Sequence, residues 1–440
     1  MAVIEMQFLA NDYETIYRSP DGKKIFPYTP GICVLESGRY VFTNDLGGAE
    51  TKTLPEMAQI TPNPNGGRAH IGQIFTSDDK GNTWQRRAVR NFTHARPFVA
   101  GGVVYVLGHA GDLVIYRSDD GGETWDEGHY FTKGETWHQS ACNVWKENGY
   151  ITLVMEQRFH KENEENLLAA GYDWSVSKLA PVVMRAKMTD DLTVKENWTF
   201  SNAVRFSDVI NEDELELFGM PFFHTNWNST KLIDENDPTF RTHRLGWLEA
   251  NIVRITDPAH YWYDPTGKTF HLFMRGHTAG TGYCMMMKAV LEEENGKETI
   301  TVMPETNPSG RKVIFLPMPG GQMRFHIVWD EKTRLYWLLS TQAVDSMTRM
   351  EMLSDERYNI PCDERQRLQL SFSKNMVDWC FAGIVAAGNS EKQSRHYASM
   401  EIDGDDLVIV SRSGDREASS AHDGNLSTFH KVTNFRSLVY

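Results

Sequence analysis

The sequence puts an acid where an apolar residue belongs. Glu249 lies inside the run "GWLEANIVRI". A carboxylate is costly to bury without a partner, so Glu249 asks either for a structural cation, Arg244 or Arg254, or for chemistry. The histidines raise the same question. There are 15, and several stand at the ends of strand-like runs: His94 in "THARP", His109 in "LGHAGD", His138 in "TWHQS", His277 in "RGHTAG", His396 in "RHYAS", His422 and His430 in "AHDGNLSTFH". One such histidine is ordinarily structural. As a group they fit a polar central pocket with acid/base capacity near neutral pH. Arg412 in "SRSGD" and the cluster His422, Asp423 and Asn425 add further polar groups near the C-terminus.

Composition excludes several classes of function. The chain has 440 residues, 40% hydrophobic and 11% aromatic, which is a globular and not a disordered balance. Its formal charge of −14 argues against a nucleic-acid partner, which would need clustered Lys and Arg. A local arginine pocket for a small anion remains compatible with that charge. Cys33, Cys142, Cys284, Cys362 and Cys380 are odd in number and form no CxxC pair, so free thiols in a reducing compartment are expected. No HExxH or EF-hand loop is present, and "DGDD" at 403–406 has the residues of a hairpin turn, so neither metal nor cofactor is expected. No apolar run approaches the roughly 20 residues of a membrane helix. The N-terminus lacks the pattern of a signal peptide, which makes a cytoplasmic location the expectation.

The candidate residues need a scaffold, and two octapeptides announce it. "SDDKGNTW" begins at Ser77 and "SDDGGETW" at Ser118, each after a strand-like run. In the shared pattern Ser-x-Asp-x-Gly-x-Thr-Trp the Asp can accept N–H bonds within its own turn. The Gly permits a positive φ, and the Trp pins the hairpin to its neighbour. Weaker echoes end at Trp198, at Trp379 beside Asp378, and in "DGNLSTFHKVTNF". Between them lie paired apolar runs joined by Gly, Asp, Asn or Lys turns, which is a hairpin signal repeated about six times. One repeat per sheet in a radial array accounts for this and protects the sheet edges. The expectation is an all-β, six-bladed β-propeller spanning residues 1–440 as a single domain, with seven blades as the alternative. Blades are expected at 30–90, 94–130, 138–203, 246–305, 325–386 and 397–436. An N-terminal strand from "EMQFLANDYETIYRSP" would close the ring with the last blade. Residues 158–180 and 204–245 read as irregular insertions over one face.

The octapeptide resembles the Asp box of the sialidase superfamily of β-propellers, which implies a structural role for it. The resemblance extends to the site. Sialidases bind an anionic sugar with three arginines and use a tyrosine nucleophile paired with a glutamate, plus an aspartic acid as acid/base. "GWLEANIVRI" is similar to the strand of the glutamate, which would be Glu249. "FHLFMRG" offers Arg275 as an arginine, and "RHYASMEIDGDDLVIV" offers Tyr397 as nucleophile. Asp45 in "FTNDLGG" stands in the place of the acid/base. Arg324 in "PGGQMRFHIVWD", Arg412 and Arg244 are candidates for the remaining substrate contacts, with Arg311 weighed beside Arg324, and His422 and Asn251 join the substrate-binding group. One departure stands out. Where sialidases open the first blade with an Arg-Ile-Pro type motif, this chain has "FPYTPGICVL", with Tyr28 or Thr29 in the arginine's place; Arg18 lies too far upstream to replace it. Losing a bidentate Arg–carboxylate contact weakens recognition of sialic acid. The implied activity is a sialidase-like exo-glycoside hydrolase acting on a terminal, anionic sugar. The alternatives are a uronate-cleaving lyase or a rhamnosidase-like propeller, for which His138 with Tyr397 and Arg275 would supply base and carboxylate neutraliser. A non-catalytic propeller that binds glycan or protein is the last alternative.

Overall fold

Hairpins in succession build a ring of six antiparallel sheets. The structure is a computed structural model. It describes residues 7–159, 176–210, 245–277, 282–346, 348–349, 352–354 and 363–440, with the backbone of four short strands between 225 and 244. Most of the insertions expected at 158–180 and 204–245 fall outside the described residues.

From axis to rim, the first blade orders Phe26–Val34, Tyr40–Gly47, Ile71–Ser77 and Gln85–Arg90. The second runs Thr93–Ala100, Val103–Ala110, Asp112–Ser118 and His129–Tyr130. In the third, the inner strand is split into Trp137–His138 and Trp145–Glu147, both pairing with Tyr150–Arg158, and Leu179–Lys187 and Trp198–Phe200 follow. The fourth comprises Gly246–Val253, Thr269–His277, Tyr283–Glu294 and Lys297–Met303. The fifth comprises His326–Asp330, Leu335–Thr341, Arg367–Ser373 and Cys380–Ala387. The sixth takes Arg395–Asp403, Asp406–Ser413 and Leu426–Val432, and its outermost strand is Glu14–Arg18 from the chain's beginning. That pairing ties the two ends of the sequence into one sheet.

Each sheet is apolar on both faces because each is covered by its neighbours. The buried clusters lie between blades. Leu107, Ile115, Leu153 and Met184 join the second blade to the third; Trp337, Leu370, Met400 and Ile409 join the fifth to the sixth. Phe42, Phe75, Val410 and Phe429 join the sixth to the first.

The two octapeptides are self-satisfied turns. Asp79 accepts from Thr83 N (2.8 Å), Thr83 Oγ1 (2.6 Å) and Ser77 Oγ (2.9 Å), while Trp84 Nε1 donates to Gly81 O at 3.0 Å. Asp120 repeats this with Thr124 N (2.9 Å) and Ser118 Oγ (2.8 Å), and Trp125 Nε1 donates to Gly122 O. Gly81 has φ +91°, and a Cβ there would meet the Phe429 ring, so no other residue fits. These turns join the third and fourth strands of their blades. They therefore lie at the end of the ring opposite to where the inner strands begin.

Candidate functional site

The inner strands begin at one end of the central channel, and four of them are broken there in the same way. Pairing shifts between Tyr28 and Gly31, Thr93 and Arg96, Leu248 and Asn251, and His396 and Ser399. Within these bulges Thr29, His94, Glu249 and Tyr397 have positive φ values of 39°, 53°, 61° and 50°. Such backbone costs about 1–3 kcal/mol per non-glycine residue and persists only where the surroundings enforce it. A bulge frees a carbonyl, and a side chain of another blade takes it each time: Ser399 Oγ donates to Pro30 O, Thr43 Oγ1 to Ala95 O, Gln139 Nε2 to Ala250 O, and Arg324 to Ala398 O. The bulges are thus locked blade to blade.

Tyr397, Arg275 and Glu249 meet in the space so formed. Arg275 Nη1 donates to Tyr397 Oη at 2.7 Å and lies 3.5 Å from Glu249 Oε2; its Nε donates to Gln322 O. Ser140 Oγ donates to Glu249 Oε1 at 2.9 Å. Burial opposes ionisation of Glu249, yet Arg275 foremost, then His138, Ser140 and Arg324, outweigh it and hold the carboxyl below its ordinary value. Burial raises the Tyr397 phenol, and Arg275 opposes that rise.

Two more buried arginines face the same ring. The Arg365 guanidinium lies 5.7 Å from the Tyr397 ring centre, paired with Asp363 at 2.6 Å and with His396 Nδ1 at 3.1 Å. Arg412 lies 5.4 Å from the Tyr397 ring and 3.9 Å from that of Tyr28. Tyr28, in the place of the expected first-blade arginine, donates its hydroxyl to Asp423 at 2.7 Å, and Asp423 lies 3.7 Å from Arg412. His422 Nδ1 lies 2.6 Å from Asp423, which places His422 on this flank.

The opposite flank is imidazole. His94 Nδ1 lies 3.1 Å from His109 Nε2, and its ring stands edge-on to His138 with centroids 5.0 Å apart. His138 Nδ1 is 2.7 Å from Glu156 Oε2, and Glu156 Oε1 accepts from Ala250 N at 3.2 Å. Burial pulls His94 and His138 down to about 4, so both are neutral at pH 7. Asp45 accepts from Thr93 Oγ1 at 2.8 Å and His94 N at 3.1 Å, which clamps the second blade's bulge.

Of the residues singled out from the sequence, Tyr397, Glu249, Arg275, Arg412, His138, His422 and Asp45 therefore gather in one cluster of contacts at the end of the ring where the inner strands begin. Arg324 and Asn251 hold protein instead. Arg324 binds Ala398 O, Ala141 O and Ser399 Oγ, and Asn251 Nδ2 donates to Phe325 O while its Oδ1 accepts from Ile327 N. Arg254 is engaged by Glu147, so it is not the partner of Glu249. The side chain of Arg244 lies outside the described residues. Sequence reading missed Arg365 and Glu156. Arg365 precedes its strand in a segment without periodicity, but Glu156 lies inside "YITLVMEQR", the same acid-in-apolar-run signal that exposed Glu249. A second signal was present: alanine follows His94, Glu249 and Tyr397 in "HAR", "EAN" and "YAS".

The far end of the channel is a separate cavity of about 300 Å³, lined by Trp145, Trp329, His326 and Glu401 among others. Among the described residues, no group of His, Cys, Asp and Glu is placed to hold a metal ion, and no helix is long and apolar enough to cross a membrane.

The chain is similar in structure to a Hadza microbial sialidase, with a TM-score of 0.51 and 12% identity over 97% of this chain and 69% of that one. A Trypanosoma rangeli sialidase in complex with sialic acid matches at TM-score 0.49 and 12% identity, covering 99% of this chain and 61% of that one. A Penicillium chrysogenum α-L-arabinanase complexed with arabinobiose matches at 0.46 and 12%, covering 98% and 99%. At these identities the likeness is one of fold, and that fold is the six-bladed β-propeller. No family model and no curated protein matches the sequence.

Proposed function

We propose that this chain is a glycoside hydrolase that removes a terminal anionic sugar, with Tyr397 as nucleophile and Glu249 as its base. One observation carries the reading: Arg275 touches both the Tyr397 hydroxyl and Glu249, inside a group of three buried arginines completed by Arg365 and Arg412. Cations packed around a phenol suit a substrate whose carboxylate adjoins the reacting carbon. A carboxylate nucleophile would be repelled by that substrate, whereas a phenol is not. In the first step Tyr397 Oη bonds to the anomeric carbon, its proton passes to the ionised Glu249, and the glycosidic bond breaks. Water then releases the sugar from tyrosine. Arg412, laid across Tyr28, takes the place of the arginine that the first blade lacks.

Uronate elimination is the second reading, and His138 favours it, because a neutral imidazole is competent to remove a proton α to a carboxylate. Products separate the two. The hydrolase reading expects free sugar from the 4-nitrophenyl glycoside of N-acetylneuraminic acid, whose carboxylate is on the anomeric carbon, and no ultraviolet absorbance of an unsaturated uronate from uronate-containing oligosaccharides. Tyr397→Phe should abolish release; activity retained near that of the wild type would refute the nucleophile's role.

A further inference from the structure

The proposed reaction needs a proton for the leaving oxygen, and Asp45 is poorly placed to give it. Both of its carboxylate oxygens are occupied by Thr93 and His94, and it is buried. Glu156 and His138 are built differently. Glu156 is fully buried near the end of the third blade's second strand, where only a strong reason keeps an acid. One of its oxygens faces His138 Nδ1 at 2.7 Å; the other accepts from Ala250 N, the peptide that follows Glu249 in the strained bulge. The two glutamates are therefore joined through one bulge, and His138 stands among Glu249, Arg158 and Arg275.

We propose that Glu156 and His138 form the acid/base pair of the site, passing one proton between the buried carboxyl and the leaving group. This rests on the hydrolase reading above. In the first step, His138 Nε2–H protonates the departing glycosidic oxygen while the Glu156 O–H proton moves to Nδ1. Glu156 becomes a carboxylate and His138 stays neutral. Meanwhile the Tyr397 proton is taken by Glu249, so the site's total charge is unchanged. In the second step water attacks the sugar–tyrosine bond, its proton returns through His138 to Glu156, and Glu249 reprotonates the phenolate. The sum is glycoside plus water giving sugar plus alcohol, and every group ends as it began.

The environments agree with this division of labour. Burial, then the charge of Glu249, keeps Glu156 well above the ordinary carboxyl value, with the Ala250 and Glu249 peptide N–H groups and Arg96 opposing. Glu249 is held ionised by Arg275. Two carboxyls whose surroundings push them in opposite directions, Glu156 toward its protonated form and Glu249 toward its charged form, are the expected signature of an acid and a base.

The test compares leaving groups in the variant Glu156→Gln, whose amide keeps the acceptor for Ala250 N and loses the acidic proton. A general acid matters for an alkoxide leaving group and little for 4-nitrophenolate. Loss of kcat/KM on a methyl or lactosyl glycoside should exceed 100-fold, with the 4-nitrophenyl glycoside of the same sugar within about 5-fold. In addition the basic limb of the pH profile should disappear. A structural role for Glu156 would lower both substrates equally, and that result would overturn the proposal. If Glu156→Gln does not fold, His138→Ala serves: its alkyl-glycoside activity should return with millimolar imidazole, and failure of rescue in a folded variant counts against the pair. Failure of the hydrolase reading is separate, because it would show as no sugar release by the wild type from either substrate.

Discussion

Replacing Arg275 with Met keeps the volume of the side chain and removes its charge, which tests the core of the site without any substrate. Glu249 is only 2% exposed, so a carboxylate stripped of its cation cannot turn to water. Breaking a buried pair by removing one member costs about 3–5 kcal/mol. For 440 residues the unfolding entropy is roughly 0.9 kcal/mol/K, so the melting temperature should drop by about 3–5 °C at pH 7.5. The pH dependence is the sharper signature. In the wild type Glu249 titrates below the ordinary value of 4.5, so above that pH it is ionised in both folded and unfolded chains and adds no slope. In the variant, burial without Arg275 lifts the folded value, and the folded chain then binds a proton that the unfolded chain does not. The deficit therefore grows with pH at up to about 1.4 kcal/mol per pH unit. Differential scanning calorimetry of both proteins should show a gap that narrows by about 3 °C between pH 7.5 and pH 5.5. Equal melting temperatures, or a gap of constant size, would refute the ion pair as drawn.

Three further outcomes follow from the same structure. Asp120→Ala removes the acceptor for Thr124 and Ser118 and should cost about 1–2 kcal/mol in chemical denaturation, with kcat unchanged because that turn lies at the opposite end of the ring. His70, His94, His138, His422 and His430 are each pulled to about 4 by burial, so as pH falls through the ordinary imidazole value of 6.5 the unfolded chain binds more protons; the melting temperature should fall by several degrees from pH 7 to pH 5 and level off above about pH 7.5. The buried Cys33 and Cys142 thiols, raised to about 12 and 11, should resist iodoacetamide at pH 8 in the folded protein while the less buried Cys380 reacts, read by peptide mass spectrometry.

The ring was legible because its signals are local. The turn of Asp79 or Asp120 closes within eight residues, and each hairpin carries its own apolar runs, so no distant contact had to be known. Glu249 was legible for the opposite reason: a charge in an apolar run is conspicuous. What could not be read was direction. Arg324 looked like a substrate arginine, but the bulge at Tyr397 frees the carbonyl of Ala398, and Arg324 is spent on it. The bulges themselves carry no glycine at the positive-φ position, so turn chemistry could not mark them. Arg365 approaches Tyr397 only because the fifth and sixth blades adjoin, a fact of ring closure and not of sequence spacing.

The central claim is a covalent bond between sugar and Tyr397. It is tested most directly by incubating the protein with an activated, fluorinated analogue of the sugar it releases, then mapping the adduct by peptide mass spectrometry. The account expects one sugar mass on the peptide carrying Tyr397, absent from Tyr397→Phe. An adduct on Glu249 or Glu156, or full turnover with Tyr397 unmodified, would contradict it.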